Sequence, residues 1–225
     1  MQKRLRFTGF GIFSAEVDGV DADLPPITRT MLARLVLARG GLVYADDLYA
    51  DAWPAPAPVV RREQRVGVHK RIGELRRCLP PGLLVTERGA RTGYRLLLDG
   101  GEVDLYVFAG TVFRAAAAHD EVGVDLLIAA LGMWTETPLL GLPDKAFVAD
   151  HRDRLARLRD RACRALVTGC VAMDRTREAV AALDRLQVCN PEDIGLRDLV
   201  DGLIRDLLSV SSVVPAVSSR QSAFL

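Results

Sequence analysis

The sequence predicts a mainly α-helical chain with little β-structure, in which a small domain of sheet and helices precedes an all-helical domain. Short apolar and polar stretches alternate over residues 5–24 and carry a turn signal at Asp18-Gly19. Helical periodicity dominates from residue 104 to residue 208. Glycines at positions 100 and 101 separate the two regions. The predicted units are a first domain, a second domain and a flexible tail: residues 1–99, 102–208 and 209–225.

The first domain is expected to contain a small antiparallel sheet, three helices and a C-terminal hairpin. Pro25 and Pro26 end the sheet segment, and Thr28 is the expected N-cap of the first helix. A short second helix follows at about 45–53, and a third at about 60–79, which the prolines after it end. Two β-prone runs joined by a glycine-containing loop then predict the hairpin, at 83–86 and 94–98.

The second domain is expected to contain only helices. Helix pairs that recur every 30 to 40 residues or so indicate an array of helical hairpins like tetratricopeptide repeats. The predicted helices are about 104–118, 121–134, 145–169, 175–189 and 193–208.

The net charge of +1 conceals a marked asymmetry. Residues 1–99 hold 16 basic and 11 acidic side chains, whereas residues 100–225 hold 14 and 18. Within residues 59–79 alone there are seven basic and two acidic side chains. The basic excess therefore belongs almost entirely to the third helix, which indicates a polyanionic partner.

Several functional classes are not expected. Charged residues interrupt every apolar stretch before it reaches the roughly 20 residues of a membrane span, and no apolar signal region follows the N-terminal charges. A cytoplasmic protein without membrane contact is therefore predicted.

The sequence has no GxxxxGK[ST] loop, and none of its three histidines has a second ligand four residues away. We therefore predict no enzyme activity, no metal and no cofactor.

The four cysteines form no CxxC pair and are expected to be buried free thiols. The alternative is a redox pair between Cys163 and Cys170, which share one helix face.

The third helix has two distinct faces when it is projected at about 100° per residue. Its apolar side chains lie within about 60° of each other and predict the buried face: Val68, Ile72, Leu75 and Leu79. The opposite face and its flanks carry Arg62, Arg65, Val66, His69, Lys70, Gly73 and Arg77. Gly73 removes a side chain where another backbone could approach closely. A cationic helix followed by a hairpin tipped with Arg88 and Arg91 is typical of a recognition helix beside a wing.

The chemistry of the side chains divides their expected roles. Arginine grips guanine O6 and N7 bidentately, so residues in the first half of the helix are candidates for reading bases: Arg62, Arg65 and His69. Cations near the helix end and on the wing are expected to hold phosphates. The alternative is a solvated, arginine-rich helix without a nucleic-acid partner.

Four segments of the first domain resemble the OmpR-like winged helix of the Streptomyces antibiotic regulatory protein (SARP) family. They are Leu5-Arg6-Phe7, Leu48-Tyr49-Ala50-Asp51-Ala52-Trp53-Pro54, Val68-His69-Lys70-Arg71-Ile72-Gly73-Glu74-Leu75-Arg76-Arg77-Cys78-Leu79, and Leu84-Val85-Thr86-Glu87 with Gly93-Tyr94-Arg95-Leu96. Further on, Val103-Asp104-Leu105-Tyr106-Val107-Phe108, Ala130-Leu131-Gly132-Met133-Trp134 and Pro138-Leu139-Leu140 resemble the start of that family's bacterial transcriptional activation domain.

The resemblance implies a DNA-binding activator of an antibiotic biosynthetic gene cluster. Family members bind direct repeats upstream of promoters, often as pairs of protomers, and recruit RNA polymerase through its sigma subunit and neighbouring surfaces. The resemblance adds Arg76 and Thr92 to the expected DNA contacts. It also makes the loop after the second helix a candidate polymerase contact, at Trp53, Pro54 and Pro56, although Trp53 is also interpreted as a core residue beneath that loop. The protein would act in the cytoplasm, on the nucleoid.

The activation domain resembles a shortened one, because the family's usual further helical repeat is not recognisable after Leu208. A repeat array buries its apolar faces against neighbouring repeats, so the last helix is expected to offer an interface for a second protomer or partner. That interface is predicted at Leu199, Leu203, Ile204 and Leu207. The alternative function is a helical adaptor that has weak or lost DNA binding and sequesters a partner.

Overall fold

The computed structural model describes residues 4–54, 61–99, 102–118 and 120–211. The predicted fold class is confirmed: an N-terminal winged helix is followed by a helical, tetratricopeptide-like domain. The strands are β1 (Leu5–Thr8), β2 (Ser14–Val17), β3 (Val20–Asp21), β4 (Val43–Tyr44), β5 (Leu84–Glu87) and β6 (Gly93–Leu96). The helices are α1 (Pro26–Leu37), α2 (Ala45–Ala52), α3 (Arg61–Cys78), α4 (Asp104–Ala117), α5 (Glu121–Gly132), α6 (Ala146–Ala172), α7 (Thr176–Cys189) and α8 (Ile194–Ser211).

The first sheet is an antiparallel meander in the order β1-β2-β3. Its tight turn lies where the sequence predicts it, because Asp18 and Gly19 both adopt positive φ, at 54° and 82°. Such a pair of left-handed residues matches the twist of a two-residue hairpin. Phe7 and Ala15 face each other across β1 and β2 and are both buried, so the sheet turns one side to the core.

The second sheet has the order β4-β6-β5. Its β5–β6 hairpin is the predicted wing, with Leu84 opposite Leu96. Strand β4 is absent from the sequence prediction because it has only two residues and pairs with a strand about fifty residues later. It lies directly before α2 and thereby fixes the base of the wing beside that helix.

The N-terminus of α1 differs from the prediction. The N-cap residue is Pro25, with Pro26 in the first turn, so Thr28 as the cap is wrong. Proline suits the first helical position, which Pro26 occupies, because its fixed φ is helical and its missing N–H would have no helical partner. Thr28 lies instead inside the helix, fully buried, and its hydroxyl donates to Glu74 Oε2 of α3 at 2.8 Å.

The helices of the second domain pack as successive antiparallel hairpins, with α4 against α5 and α7 against α8. Helix α8 continues to Ser211, so residues 209–211 are helical and the predicted tail begins too early. The remainder of that tail, residues 212–225, lies outside the described residues.

The predicted interface on α8 is only partly described. Leu199 packs half-buried against the core and Ile204 is 40% exposed, whereas Leu196 and Val200 form the buried face. The side chains of Leu203 and Leu207 lie outside the described part of the structure.

The two domains share one continuous core. The centroid of the Phe10 ring lies 5.4 Å from the centroid of the Phe108 ring and 5.1 Å from that of the Trp134 ring. The Asp104 carboxylate at the start of α4 accepts hydrogen bonds from the backbone N–H groups of Gly9, Phe10 and Leu105. Burial raises the pKa of Asp104, although these donors oppose the change. The sheet of the first domain is thus joined directly to the helical domain.

Among the helices of the described residues, none combines the length and the apolar character that a membrane span requires.

Cys163 and Cys170 are both buried in α6, and burial raises the pKa of the Cys163 thiol to about 12. Seven residues of helix separate the two by about 10 Å, which is too far for a disulfide bond. The redox-pair alternative is therefore wrong.

Candidate nucleic-acid interface

Helix α3 is fixed in the winged helix by one apolar face. Val68, Ile72 and Leu75 are each no more than 2% exposed, and Leu79 is buried just beyond the helix end. This is the inner face that the 3.6-residue period predicts. Because this face is buried, the opposite face of the helix is exposed to solvent.

The solvent face of α3 brings together most of the residues singled out from the sequence. Arg65, His69, Lys70 and Arg77 are exposed, and Val66 is 63% exposed. Within the described residues, Arg65 and Lys70 make no hydrogen bond or ion pair. Their charges are therefore available to an external anion. The side chain of Arg62 lies outside the described part of the structure.

Gly73 lies on the same exposed face, in the middle of the cationic surface. A Cβ added there would have no heavy atom within 4 Å. The protein itself therefore does not require a glycine at this position, which remains the predicted point of close approach to DNA.

Two arginines at the end of α3 have contacts within the protein. Arg76 donates to Leu84 O through two guanidinium nitrogens, at 3.4 and 3.3 Å, and to the Thr86 hydroxyl. Arg77 donates to Gly73 O, one turn earlier in its own helix, at 3.3 Å. Arg76 therefore ties α3 to β5, and its contribution is to hold the β5–β6 hairpin against α3.

The two wing arginines differ in their surroundings. Arg88 is exposed and has no hydrogen bond or ion pair among the described residues. The Arg91 guanidinium lies 3.7 Å from the carboxylates of both Asp46 and Asp47 and 4.1 Å from the centre of the Tyr44 ring. An anion that approached Arg91 would compete with two acidic partners, whereas no described acidic residue pairs with Arg88.

Backbone contacts tie the start of β6 to α2. The Thr92 carbonyl accepts from Ala45 N–H at 3.0 Å, and the Thr92 side chain is half-buried. His69 on α3 packs edge-on against the Tyr94 ring, with 6.4 Å between the centroids. The helix and the wing therefore form one continuous surface.

Two further charged side chains of α3, Arg71 and Glu74, neutralise each other. Arg71 donates to both carboxylate oxygens of Glu74 at 2.9 Å, and Thr28 donates to the same carboxylate. These hydrogen bonds hold the pKa of Glu74 below its usual range. This pair faces α1, so it does not reduce the positive charge of the outer surface.

Trp53 begins the loop between α2 and α3. Its ring stacks on Tyr49 at 4.7 Å, and a Cβ on Gly67 would lie 3.2 Å from Trp53 Cζ2. Trp53 is therefore a half-buried packing residue, while Pro54 beside it is exposed. Pro56, the third polymerase-contact candidate, lies outside the described residues.

Sequence reasoning did not identify Lys145. This residue precedes α6, and its ammonium group donates to the carbonyl oxygens of Ala50 and Trp53 at 2.9 and 2.8 Å. Lys145 is more than ninety residues away in the chain from Ala50 and from Trp53, so no local sequence pattern predicts these hydrogen bonds. The helical domain thus holds the start of the α2–α3 loop.

The arrangement has the features of a nucleic-acid interface: exposed cations on one helix, a glycine among them and a wing beside them. Within the described ranges, no cluster of three or more His, Cys, Asp or Glu side chains could hold a metal ion.

The helical domain matches a known protein family. Residues 103–200 match the family model described as the bacterial transcriptional activator domain. None of the curated proteins matches the chain.

A solved structure shares the fold of both domains. The chain resembles Mycobacterium tuberculosis EmbR, solved in complex with a low-affinity phosphopeptide, with a TM-score of 0.63 and 23% sequence identity. The similarity covers 91% of this chain but only 66% of the EmbR chain. It therefore includes both the winged helix and the helical domain described above.

Proposed function

We propose that the chain is a transcription regulator of the SARP type that activates a secondary-metabolite gene cluster by binding promoter DNA. The match of residues 103–200 to the bacterial transcriptional activator domain and the winged helix before it support this proposal. The activator domain identifies a regulator and not an enzyme. The proposal depends chiefly on the outer face of α3, where Arg65 and Lys70 are exposed and have no ionic partner among the described residues.

In the proposed complex, α3 lies in the major groove. Arg65 and His69, in its first half, read base edges together with Arg62, and Val66 supplies apolar contact to a thymine methyl group. Lys70 and Arg77 contact phosphates, as does Arg88 on the wing. The ion pairs of Arg91 with Asp46 and Asp47 make it a weaker phosphate ligand than Arg88.

The proposed targets are direct repeats upstream of a promoter, each bound by one protomer of a homodimer that forms on DNA. RNA polymerase is the proposed second partner, contacted through its sigma subunit and neighbouring surfaces by the loop that begins at Trp53 and Pro54. Pro54 is exposed, while Lys145 holds the loop's first residues in place. The site of action is the nucleoid in the cytoplasm.

The DNA-binding proposal is tested by fluorescence anisotropy with a labelled promoter fragment from the neighbouring biosynthetic genes that contains heptamer direct repeats. Binding is measured at several salt concentrations. Each lost phosphate contact is expected to reduce the slope of log K against log salt by about 0.9. Lys70→Ala should show this reduction on specific and non-specific DNA alike, because a phosphate contact carries no sequence information.

Arg177→Ala provides the matched control, since Arg177 is an exposed arginine on α7, away from α3. It should leave both affinity and slope unchanged. Wild-type affinity no higher than that of an Arg65→Ala, Lys70→Ala variant would contradict the proposal and favour the adaptor function instead.

Activation is tested separately from DNA binding. Pro54→Asp is expected to leave the anisotropy titration unchanged but lower transcription from the same promoter in a reconstituted assay, because Pro54 is exposed and lies outside α3 and the wing. Full transcription by this variant at saturating DNA occupancy would contradict a polymerase contact at Pro54.

A further inference from the structure

A groove of about 540 Å³ lies at the junction of the two domains, away from the surface assigned to DNA. Its walls come from the end of α1, from α4 and from α6. The floor is apolar and includes Leu105 and Ala109 of α4 and Leu155 of α6, all buried. A volume of this size is within the range that holds a small-molecule ligand.

The rim of the groove is cationic. Arg39 extends from the residues after α1, while Arg154, Arg157 and Arg161 extend from successive turns of α6. Among the described residues, the three α6 arginines make no hydrogen bond or ion pair. None of the described lining residues is acidic. No described carboxylate therefore lies within ion-pair distance of the three α6 arginines.

An aromatic ring extends the apolar wall into solvent. Phe113, one turn beyond Ala109 on α4, is 61% exposed, which is unusual for a phenylalanine in a structure whose other rings mostly pack in the core. Apolar surface of this kind beside unpaired cations suits a ligand that has an apolar body and an anionic group.

We propose that this groove binds a small anionic amphiphile, namely an acyl or aromatic molecule that carries carboxylate, sulfonate or phosphate groups. The apolar body lies on Leu105, Ala109 and Phe113, and the anionic group contacts the α6 arginines. Arg154 and Arg161 are seven residues apart and span about 10 Å, so an elongated ligand can contact both.

Occupancy of the groove would act on both domains together. The His151 ring nitrogens lie 2.7 Å from Phe147 O of α6 and 3.2 Å from Leu37 O at the end of α1. The Tyr106 hydroxyl on α4 donates to Val36 O of α1. A ligand between these elements therefore bears directly on the contacts that hold the winged helix against the activator domain.

The test uses 1-anilinonaphthalene-8-sulfonate, an aromatic sulfonate whose fluorescence rises on transfer to an apolar site. The full chain is expected to bind it saturably with one molecule per chain. Arg154→Glu, Arg161→Glu should weaken binding at least roughly tenfold, because two ionic contacts become repulsive. The matched control is Arg177→Glu, Arg185→Glu, two exposed arginines on α7, which should leave the Kd unchanged.

A second variant, Ala109→Phe, fills the floor of the groove without altering its charge and should also abolish saturable binding. Thermal unfolding of each variant identifies any loss of fold. Unsaturable binding, or equal weakening by the two charge-reversed variants, would overturn the proposal. A synthetic acidic amphipathic helix provides a further check. If its binding requires Arg154 and Arg161 while binding of the sulfonate does not, the site is a peptide groove and the proposal is overturned.

Discussion

Gly73→Ala is expected to stabilise the protein while it weakens DNA binding. Gly73 is in the interior of α3, and a Cβ there would meet no heavy atom within 4 Å, so the substitution introduces no clash. Alanine is favoured over glycine in a helix interior by about 1 kcal/mol. For a chain of this size that corresponds to an increase of about 2–4 °C in Tm.

The same methyl group lies on the face proposed to enter the major groove. It would occupy the space where the DNA backbone or a base edge approaches α3, and loss of one good base contact costs about 1–3 kcal/mol. Affinity for the promoter fragment should therefore fall by roughly 5- to 150-fold. Urea unfolding measures the stability change, and fluorescence anisotropy measures the affinity.

Gly110→Ala is the matched control, because Gly110 lies inside α4 and a Cβ there also has no neighbour within 4 Å. It should raise the free energy of unfolding by a similar amount and leave DNA affinity unchanged. The reasoning is refuted if Gly73→Ala stabilises the protein but binds DNA as tightly as the Gly110→Ala control.

Three further predictions follow from contacts in the first domain and its junction. Asp104→Ala removes the acceptor of three backbone N–H groups and should lower the free energy of unfolding by about 2–3 kcal/mol in urea; an effect below ~0.5 kcal/mol would contradict that role. Arg88→Ala should reduce the salt slope of DNA binding more than Arg91→Ala, because acidic side chains already pair with Arg91; equal reductions in anisotropy titrations would exclude this difference. The lowered pKa of Glu74 means that its ionised form contributes stability above the usual carboxyl range, which is lost as pH falls through the folded-state pKa. Urea titrations from neutral pH to pH 3 should show a shallower loss for Glu74→Gln, and an unchanged pH profile would contradict the assignment.

Much of the winged helix could be predicted from local sequence patterns. The inner face of α3 follows from the spacing of Val68, Ile72 and Leu75, because an amphipathic helix must bury its apolar stripe. The turn at Asp18-Gly19 follows from the residue types that tolerate positive φ. Burial of one helix face also determines which face remains exposed, so the cationic surface was predictable without knowledge of the fold.

The sequence by itself thus determined the order of the helices, the two domains' helical and sheet character and the location of the basic surface, because these depend on residues close together in the chain. Only the tertiary structure decided which cations are available to a partner. Arg76 and Arg91 look equivalent to Lys70 and Arg88 in sequence, yet the first two contact the wing strand and the acidic start of α2, respectively. Such pairings depend on segments that meet only when the chain folds, and so does the arginine-rimmed groove between the domains.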